Sequence, residues 1–278
     1  MIRDIEDSAA EFMAIRRDLH AHPELSFAEE RTASRVAELL EGWGIPVVRG
    51  VGRTGVVGIL KRGQGKRTIG LRADMDALPV EEHNRFDHAS RNPGRMHACG
   101  HDMHTVVGLG VAQLLGTLWQ SDSSEIRVRV RLLFQPAEET AEGATWMRAD
   151  GAMDGVEALF GVHVFPSLAA GTIGVRSGSL TAAAGELEVE VLGEGGHGAR
   201  PHQSTDAIWI AARVVSGLQE AISRRLDALH PVVVSFGRIE GGKAFNVIAD
   251  HVRLLGTVRC LDTELHAQLP AWIEDTVQ

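Results

Sequence analysis

Apolar residues three and four positions apart recur at Phe12, Ile15 and Leu19, and again at Val36, Leu39 and Leu40. This spacing predicts helices over 8–20 and 29–43. Pro23 breaks the chain between them, and Ser26 or Phe27 paired with Glu30 is placed to start the second helix. The uncharged run from Thr105 to Trp119 repeats the helical period through Val106, Leu109, Leu114 and Leu118. It predicts a buried helix opened by Asp102 and Met103, and it is too short to span a bilayer. Strand patterns occupy 56–60, 68–72, 127–134, 158–164 and, as a short piece, 171–176, with a helix near 141–149. Strand, helix and strand in alternation predict an α/β domain over 1–177 with a mostly parallel sheet.

From about Ser177 the pattern changes. Glu186 to Leu192 alternates acidic with apolar as a half-exposed strand does. A long amphipathic helix over 206–226, strands over 232–239 and 251–260, and a helix over 262–276 follow. The order β-α-β-β-α resembles a split βαβ sandwich lacking its last strand, which predicts a second, α+β domain over 178–278.

Composition narrows the function. The chain has 278 residues, 44% hydrophobic and 23% charged, as a soluble globular protein does. A net charge of −9 argues against nucleic acid, which is bound through basic patches. Cys99 and Cys260 make no disulfide framework, and residues 1–7 lack the apolar core of a signal peptide. These features lead us to expect a cytoplasmic protein with no membrane partner. Gly50-Val51-Gly52-Arg53-Thr54-Gly55 matches the dinucleotide fingerprint in letters, but it leads into a strand where the fingerprint needs a helix. We read a hairpin or loop there and set nucleotide binding aside.

The chemistry concentrates in Met96-His97-Ala98-Cys99-Gly100-His101-Asp102-Met103-His104. Imidazole and thiolate are the donors zinc-like ions prefer, and a packed core gains nothing from so many lone pairs in one place. The other reading of this stretch is a surface histidine cluster beside an unrelated buried cysteine. Asp74 and Asp76 follow one predicted strand, Glu138 and Glu139 follow another after Pro136, and His163 lies at the end of a third. Strand ends are where α/β proteins place their sites, so all three are expected to converge on the Cys99/His101 loop. Of two adjacent carboxylates, one can hold a metal while the other handles protons. His20, His22 and Glu24 are read as shaping a nearby loop rather than as ligands.

Arg17 to His20 with His22-Pro23-Glu24, Leu71 to Val80 with Glu81-Glu82, Met96 to His104, Phe134 to Glu139 and Gly195 to His202 together resemble the M20 metallopeptidases. The likeness is to their amidohydrolase branch, the N-acyl-amino-acid, hippurate and auxin-conjugate hydrolases. Asn246-Val247-Ile248 and Gly256 to Arg259 fit it too. The resemblance implies a catalytic domain holding two divalent ions, zinc or manganese with nickel or cobalt as options, and a ferredoxin-like lid that mediates homodimerisation. It implies Cys99, His101, Glu139 and His163 as metal ligands and Glu138 as the general base for an attacking water. It implies His197 as an oxyanion-stabilising group reaching a partner subunit, Asn246 and Arg259 as holders of the substrate carboxylate, and Asp76 as an orienting group. Asp74 stands where many relatives carry a ligand histidine, and its role stays open. On the residues alone, the Gly-Gly-His-Gly run could equally be a loop, Asn246 a turn residue and Arg259 a strand-edge charge.

One departure from the family pattern stands out. Members continue past this point to complete the lid and return to the catalytic domain with a further ligand histidine, and His230, His251 and His266 are poor substitutes for it. The resemblance therefore leads us to expect a chain truncated at its C-terminus. Two functions compete: a metal-dependent hydrolase of N-acyl amino acids or peptide-like amides, and an inactive truncated member keeping only metal binding or lid-mediated dimerisation.

Overall fold

The computed structural model describes residues 2–61, 65, 67–121 and 128–278. The chain divides into two compact units, Met1–Ala169 and Ala170–Gln278.

The first unit runs α1 (Ile2–Ala21), α2 (Glu30–Gly42), β1 (Val47–Val51), β2 (Gly55–Lys61), β3 (Thr68–Asp74), α3 (His101–Ser121), β4 (Arg129–Gln135), α4 (Gly143–Ala149) and β5 (Val156–Gly161). The predicted start of β4 at Arg127 lies outside the described residues. Among the described residues, five strands form one sheet in the order β1-β2-β4-β3-β5. β3 pairs in parallel with both β4 and β5, whereas β1–β2 and β2–β4 are antiparallel. The sheet is therefore mixed, not mostly parallel. The reason is local: β1 and β2 are joined by the glycine-containing turn at 52–54, a hairpin that can only be antiparallel. Gly52 takes a φ of +63° in that turn, so the fingerprint glycines serve chain reversal.

Period-2 alternation places the two faces of the sheet in different cores. Val56, Leu60, Val130, Leu132 and Phe134 face a cluster with Ile15 and Leu19 of α1, Val36 and Leu40 of α2 and Leu109 of α3. Val57 and Leu133 face the opposite cluster with Met147 of α4. α3 approaches the sheet closely because position 108 is glycine: a Cβ there would stand 3.1 Å from Phe134 Cε1 and 3.2 Å from the Ala73 Cβ. The second helix begins at Glu30, but not by the expected capping box. Glu24 accepts the backbone N–H of Arg31 and Thr32, and Ser26 donates elsewhere, to Asp76.

The second unit holds β6 (Ala183–Leu192), β7 (Gly196–His197), α5 (Ala207–Arg225), β8 (Val232–Gly241), β9 (Val247–Ile248), β10 (His251–Cys260) and α6 (Thr263–Val277). Its antiparallel sheet runs β6-β10-β8. β6 turns Leu187, Val189 and Val191 toward the apolar clusters beneath α5 and α6. Asp206 and Asp262 cap those helices, each accepting two backbone N–H groups. The strand expected over 171–176 is not formed: those residues make no ladder, and Ile173 and Val175 are 88% and 89% exposed. Alternation makes a strand only where a neighbour accepts its hydrogen bonds.

Phe134 fills the space between β4 and the glycine face of α3. Phe134→Ala should destabilise the first unit by about 3–5 kcal/mol, read as a lowered urea midpoint at unchanged slope; a loss under about 1 kcal/mol would show that this contact does not hold α3 to the sheet.

Candidate metal centre

β3, β4 and β5 are mutually parallel, and their registers set Asp74 opposite Gln135 and Arg72 opposite Gly161. Their C-terminal ends thus lie side by side, so Asp76, Glu138, Glu139 and His163 leave the sheet in one region. The long β3–α3 loop returns to this region because Leu78 and Met96 exchange both backbone hydrogen bonds at 3.0 Å. Gly100 then turns the chain at φ +89° into α3, whose first residue is His101. A Cβ at Gly100 would stand 2.5 Å from Val164 Cγ2, so the chain passes the His163 loop here only as glycine.

His101 is fully buried and central. Its Nδ1 lies 3.1 Å from Asp76 Oδ1. Asp76 is held in turn by Ser26 Oγ at 2.7 Å and by the Glu139 backbone N–H at 3.0 Å. The other nitrogen, Nε2, has no hydrogen-bond partner, and neither has the buried Glu139 Oε1. These two atoms are 3.7 Å apart, and Glu138 Oε2 is 3.8 Å from the same nitrogen. Cys99 Sγ is 3.4 Å from His163 Nε2. Three groups bring ligand atoms within 4.8 Å of one another: Cys99, His101 and His163; His101, Glu138 and Glu139; and Asp74, His101 and His104. His101 is common to all three.

The donor set fits divalent ions. Two nitrogen or oxygen ligands about 2.1 Å from a tetrahedral ion are roughly 3.4 Å apart, too far for a hydrogen bond and near the His101–Glu139 separation. Two buried orphan atoms facing each other would otherwise cost free energy with no return.

Charge points the same way. Burial pushes the Cys99 thiol up to about 12, and the Glu139 and Glu138 carboxylates add to it. Burial also raises Glu139, with His101 opposing and Glu138 reinforcing. Burial works against a charged His101, but the Asp76 hydrogen bond and the charges of Asp74, Asp76 and Glu139 outweigh it, and its pKa is raised. The pocket is therefore short of positive charge, which a cation would supply.

Asp74 and Asp76 are different in kind. Burial would raise both, yet both are lowered: Asp74 chiefly by the His104 hydrogen bond and Arg72, Asp76 by the His101 hydrogen bond and the Glu139 N–H. Their charges are already matched by the protein.

Glu29 was not legible as part of the site. Fully buried, it accepts the N–H of Phe27 at 3.0 Å and of Ala137 at 2.8 Å on one oxygen and the Thr54 hydroxyl on the other. It thereby fixes Ala137, at φ +49°, immediately before Glu138. No local signal marks it, since Ala137 is 108 residues away. His20 is buried between Asp102 at 2.8 Å and Glu82 at 3.2 Å, whereas His22 bonds the Asp18 carbonyl on the surface of α1. His97 is buried with neither ring nitrogen bonded among the described residues.

His197, Asn246 and Arg259 belong to the second unit. β7 pairs with β9, setting His197 opposite Val247, and the Gly198 N–H bonds the Asn246 carbonyl at 2.9 Å. His197 and Asn246 are therefore neighbours, both exposed. Arg259 is not with them: it is exposed near the far end of β10, opposite Ala184 and Val233.

Comparison with known proteins accords with this architecture. The chain is 56% identical over 264 residues to "Probable hydrolase sll0100" of Synechocystis, covering 95% of the chain and 66% of that protein. It is 44% identical over 277 residues to an N-acyl-L-amino acid amidohydrolase of Geobacillus stearothermophilus, covering 99% and 74%. The crystal structure of the Bacillus subtilis YXEP protein, described as a dinuclear metal-binding peptidase from the M20 family, superposes with a TM-score of 0.81 at 36% identity, over 98% of this chain and 70% of that one. The chain thus spans about two thirds to three quarters of the length of these relatives. Residues 70–269, from the middle of β3 to the middle of α6, match the model of peptidase family M20/M25/M40, and with the relatives above this places the chain in that family.

Proposed function

We propose that the first unit is the catalytic, metal-binding domain of an amidohydrolase that cleaves the amide bond of N-acyl amino acids. The observation that carries this reading is the pair of buried, partnerless ligand atoms, His101 Nε2 and Glu139 Oε1, beside Cys99, His163 and Glu138. Cys99, His101, Glu139 and His163 would hold two ions. Thiol and imidazole favour zinc, while the carboxylates also suit manganese. When bound, such ions act as Lewis acids, polarising a carbonyl and acidifying water.

The remaining work falls to this chain's own groups. Glu138, with its side chain 40% exposed against 21% for Glu139, is the more open of the two to a water. It would take the proton from the attacking water and pass it to the departing amine nitrogen, so that one carboxylate serves as base and then acid. Asp76 holds His101 by Nδ1, leaving Nε2 as its ligand atom.

From the second unit, read as the lid, we propose His197 as an oxyanion donor. Its Nδ1 accepts the Ala199 N–H at 3.1 Å, which leaves Nε2–H as an exposed donor. Asn246, beside it, is proposed to hold the substrate carboxylate; Arg259, expected from the sequence to share that task by its forked guanidinium, lies near the far end of β10 and is proposed for it only as a separate contact. The exposed apolar side chains Trp209 and Phe245 support a lid-mediated homodimer. Among the described residues no helix is long and apolar enough to cross a membrane. The substrate class follows the Geobacillus relative, named for N-acyl-L-amino acids.

Release of free amino acid from a panel of N-acyl amino acids, with added Zn²⁺ or Mn²⁺, tests the reading. Glu138→Ala should lower turnover by about 10²–10⁴-fold while leaving Zn²⁺ binding intact. Equal turnover in the variant would remove Glu138 as base, and no turnover from a folded, zinc-loaded chain would leave a metal-binding protein without the hydrolase activity.

Cys99 gives an independent check on metal ligation. A thiol near pKa 12 is thiolate in only about one part in 10⁴ at pH 8, partly offset by its greater intrinsic nucleophilicity. Without metal, Cys99 should alkylate roughly 50-fold more slowly than free cysteine. Zn²⁺ binding should release a proton and strengthen as pH rises from 6 to 8. Binding that is independent of pH would argue against a thiolate ligand.

A further inference from the structure

Asp74 stands at the end of β3 as if it were a ligand, but its charge is answered by the protein: one oxygen is hydrogen-bonded and the other, with no hydrogen-bond partner, is ion-paired. Oδ1 lies 2.6 Å from His104 Nδ1, and Oδ2 lies 2.6 Å from Arg72 Nη1. His104 is equally occupied: its Nε2 accepts the Val164 backbone N–H at 2.9 Å. A ring that accepts at Nε2 carries its proton on Nδ1, so His104 donates to Asp74 in a single tautomer. The trio Asp74, His101 and His104 is close enough to hold an ion, yet His104, donating at Nδ1 and accepting at Nε2, has no lone pair to spare for one.

The far end of this chain of bonds is the peptide next to His163. Val164 is pinned at three points. Its N–H goes to His104, its carbonyl lies 2.8 Å from His163 Nδ1, and its side chain rests on the Cβ-less face of Gly100. The carbonyl can only accept, so His163 donates from Nδ1 and presents a bare Nε2 toward Cys99 Sγ, 3.4 Å away. His163 itself is exposed and follows the end of an edge strand. Its ring also meets the His104 ring edge-on at 4.6 Å between centroids and the Phe165 ring at 5.2 Å, but the Val164 carbonyl is the contact that fixes which nitrogen carries the proton.

We propose that Asp74 and His104 are positioning residues: through the Val164 backbone they hold His163 in the tautomer and orientation that turn Nε2 toward Cys99. Asp76 does the corresponding work for His101 by one direct bond, and the buried Asp74–His104 pair does it for His163 by a relay of two bonds and the Val164 backbone. The relay rests on the metal-site reading for its purpose but not for its geometry.

The test uses the metal-free 278-residue chain labelled with ¹⁵N-histidine, in which long-range ¹H–¹⁵N spectra report the tautomer of each ring. The His163 signal is identified by its loss in His163→Ala. The unsubstituted chain should show His163 and His104 both protonated at Nδ1. In His104→Ala the His163 signal should move to a tautomer mixture, while Asp74→Asn, which keeps an acceptor oxygen, should retain most of the wild-type pattern. A His163 tautomer unchanged by His104→Ala would overturn the relay.

Calorimetric Zn²⁺ titration supplies the second arm. His104→Ala should weaken Zn²⁺ binding by ~10-fold or more, and the His104→Ala/His163→Ala double variant should bind no worse than His163→Ala alone. Additive losses would overturn the proposal. Should His104→Ala not fold, Asp74→Leu, which removes both acceptor oxygens, enters the same cycle with the same expectations. A wild-type chain that binds no Zn²⁺ would count against the function proposed above, and the spectra of the metal-free chain would still decide the relay.

Discussion

Burying an ionisable ring obliges the protein to provide for each of its nitrogens, and the first unit is arranged around how it does so for His101. One nitrogen is bonded to Asp76; the other is left bare, facing an equally bare carboxylate oxygen of Glu139. Asp76 can serve because Ser26 and the Glu139 N–H hold it from the other side. The three loops that meet here come from the ends of parallel strands and the start of α3. Packing of Gly108 against Phe134 and Ala73 keeps that helix on the sheet. The cost of a bare nitrogen is tolerable at a site that a cation can fill.

The acidic residues around the site sort by whether the protein itself answers their charge. Asp74 has Arg72 and His104, Asp76 has His101, and Asp102 has His20 and Arg16; all three are held below the ordinary carboxylate range despite burial. Glu139 is pushed the other way, and the Cys99 thiol further still. Matched carboxylates orient other groups, while the unmatched carboxylate and thiol leave charge for a cation to balance. Glu29 is a third kind. It is buried without a cation and raised in pKa by that burial, and it spends its lone pairs on backbone N–H groups and one hydroxyl to fix the turn before Glu138.

The orienting devices on the two histidines differ in length for a structural reason. His101 opens a helix packed on the sheet, so a single carboxylate two residues past β3 reaches it directly. His163 lies just beyond an edge strand whose outer residues Leu159 and Phe160 are half-exposed or more. The buried His104 ring meets His163 edge-on without a hydrogen bond between them, and the Val164 backbone carries the constraint on the proton from the interior.

The sequence by itself determined which residues are the candidates for chemistry. Thiol, imidazole and paired carboxylates at the ends of apolar runs have no use in a packed core, and the spacing of those runs marks helices and strands through period alone. Strand direction and the identity of the positioning groups were decided only in three dimensions. The antiparallel pairing of β2 with β4 depends on which strand β2 meets in space, and Ile173 and Val175 alternate like a strand but pair in no ladder among the described residues. Glu29 bonds across 108 residues and the His104 ring across 60. A hydrogen bond between distant segments leaves no period, motif or spacing in the chain, because its only determinant is where folding brings donor and acceptor together.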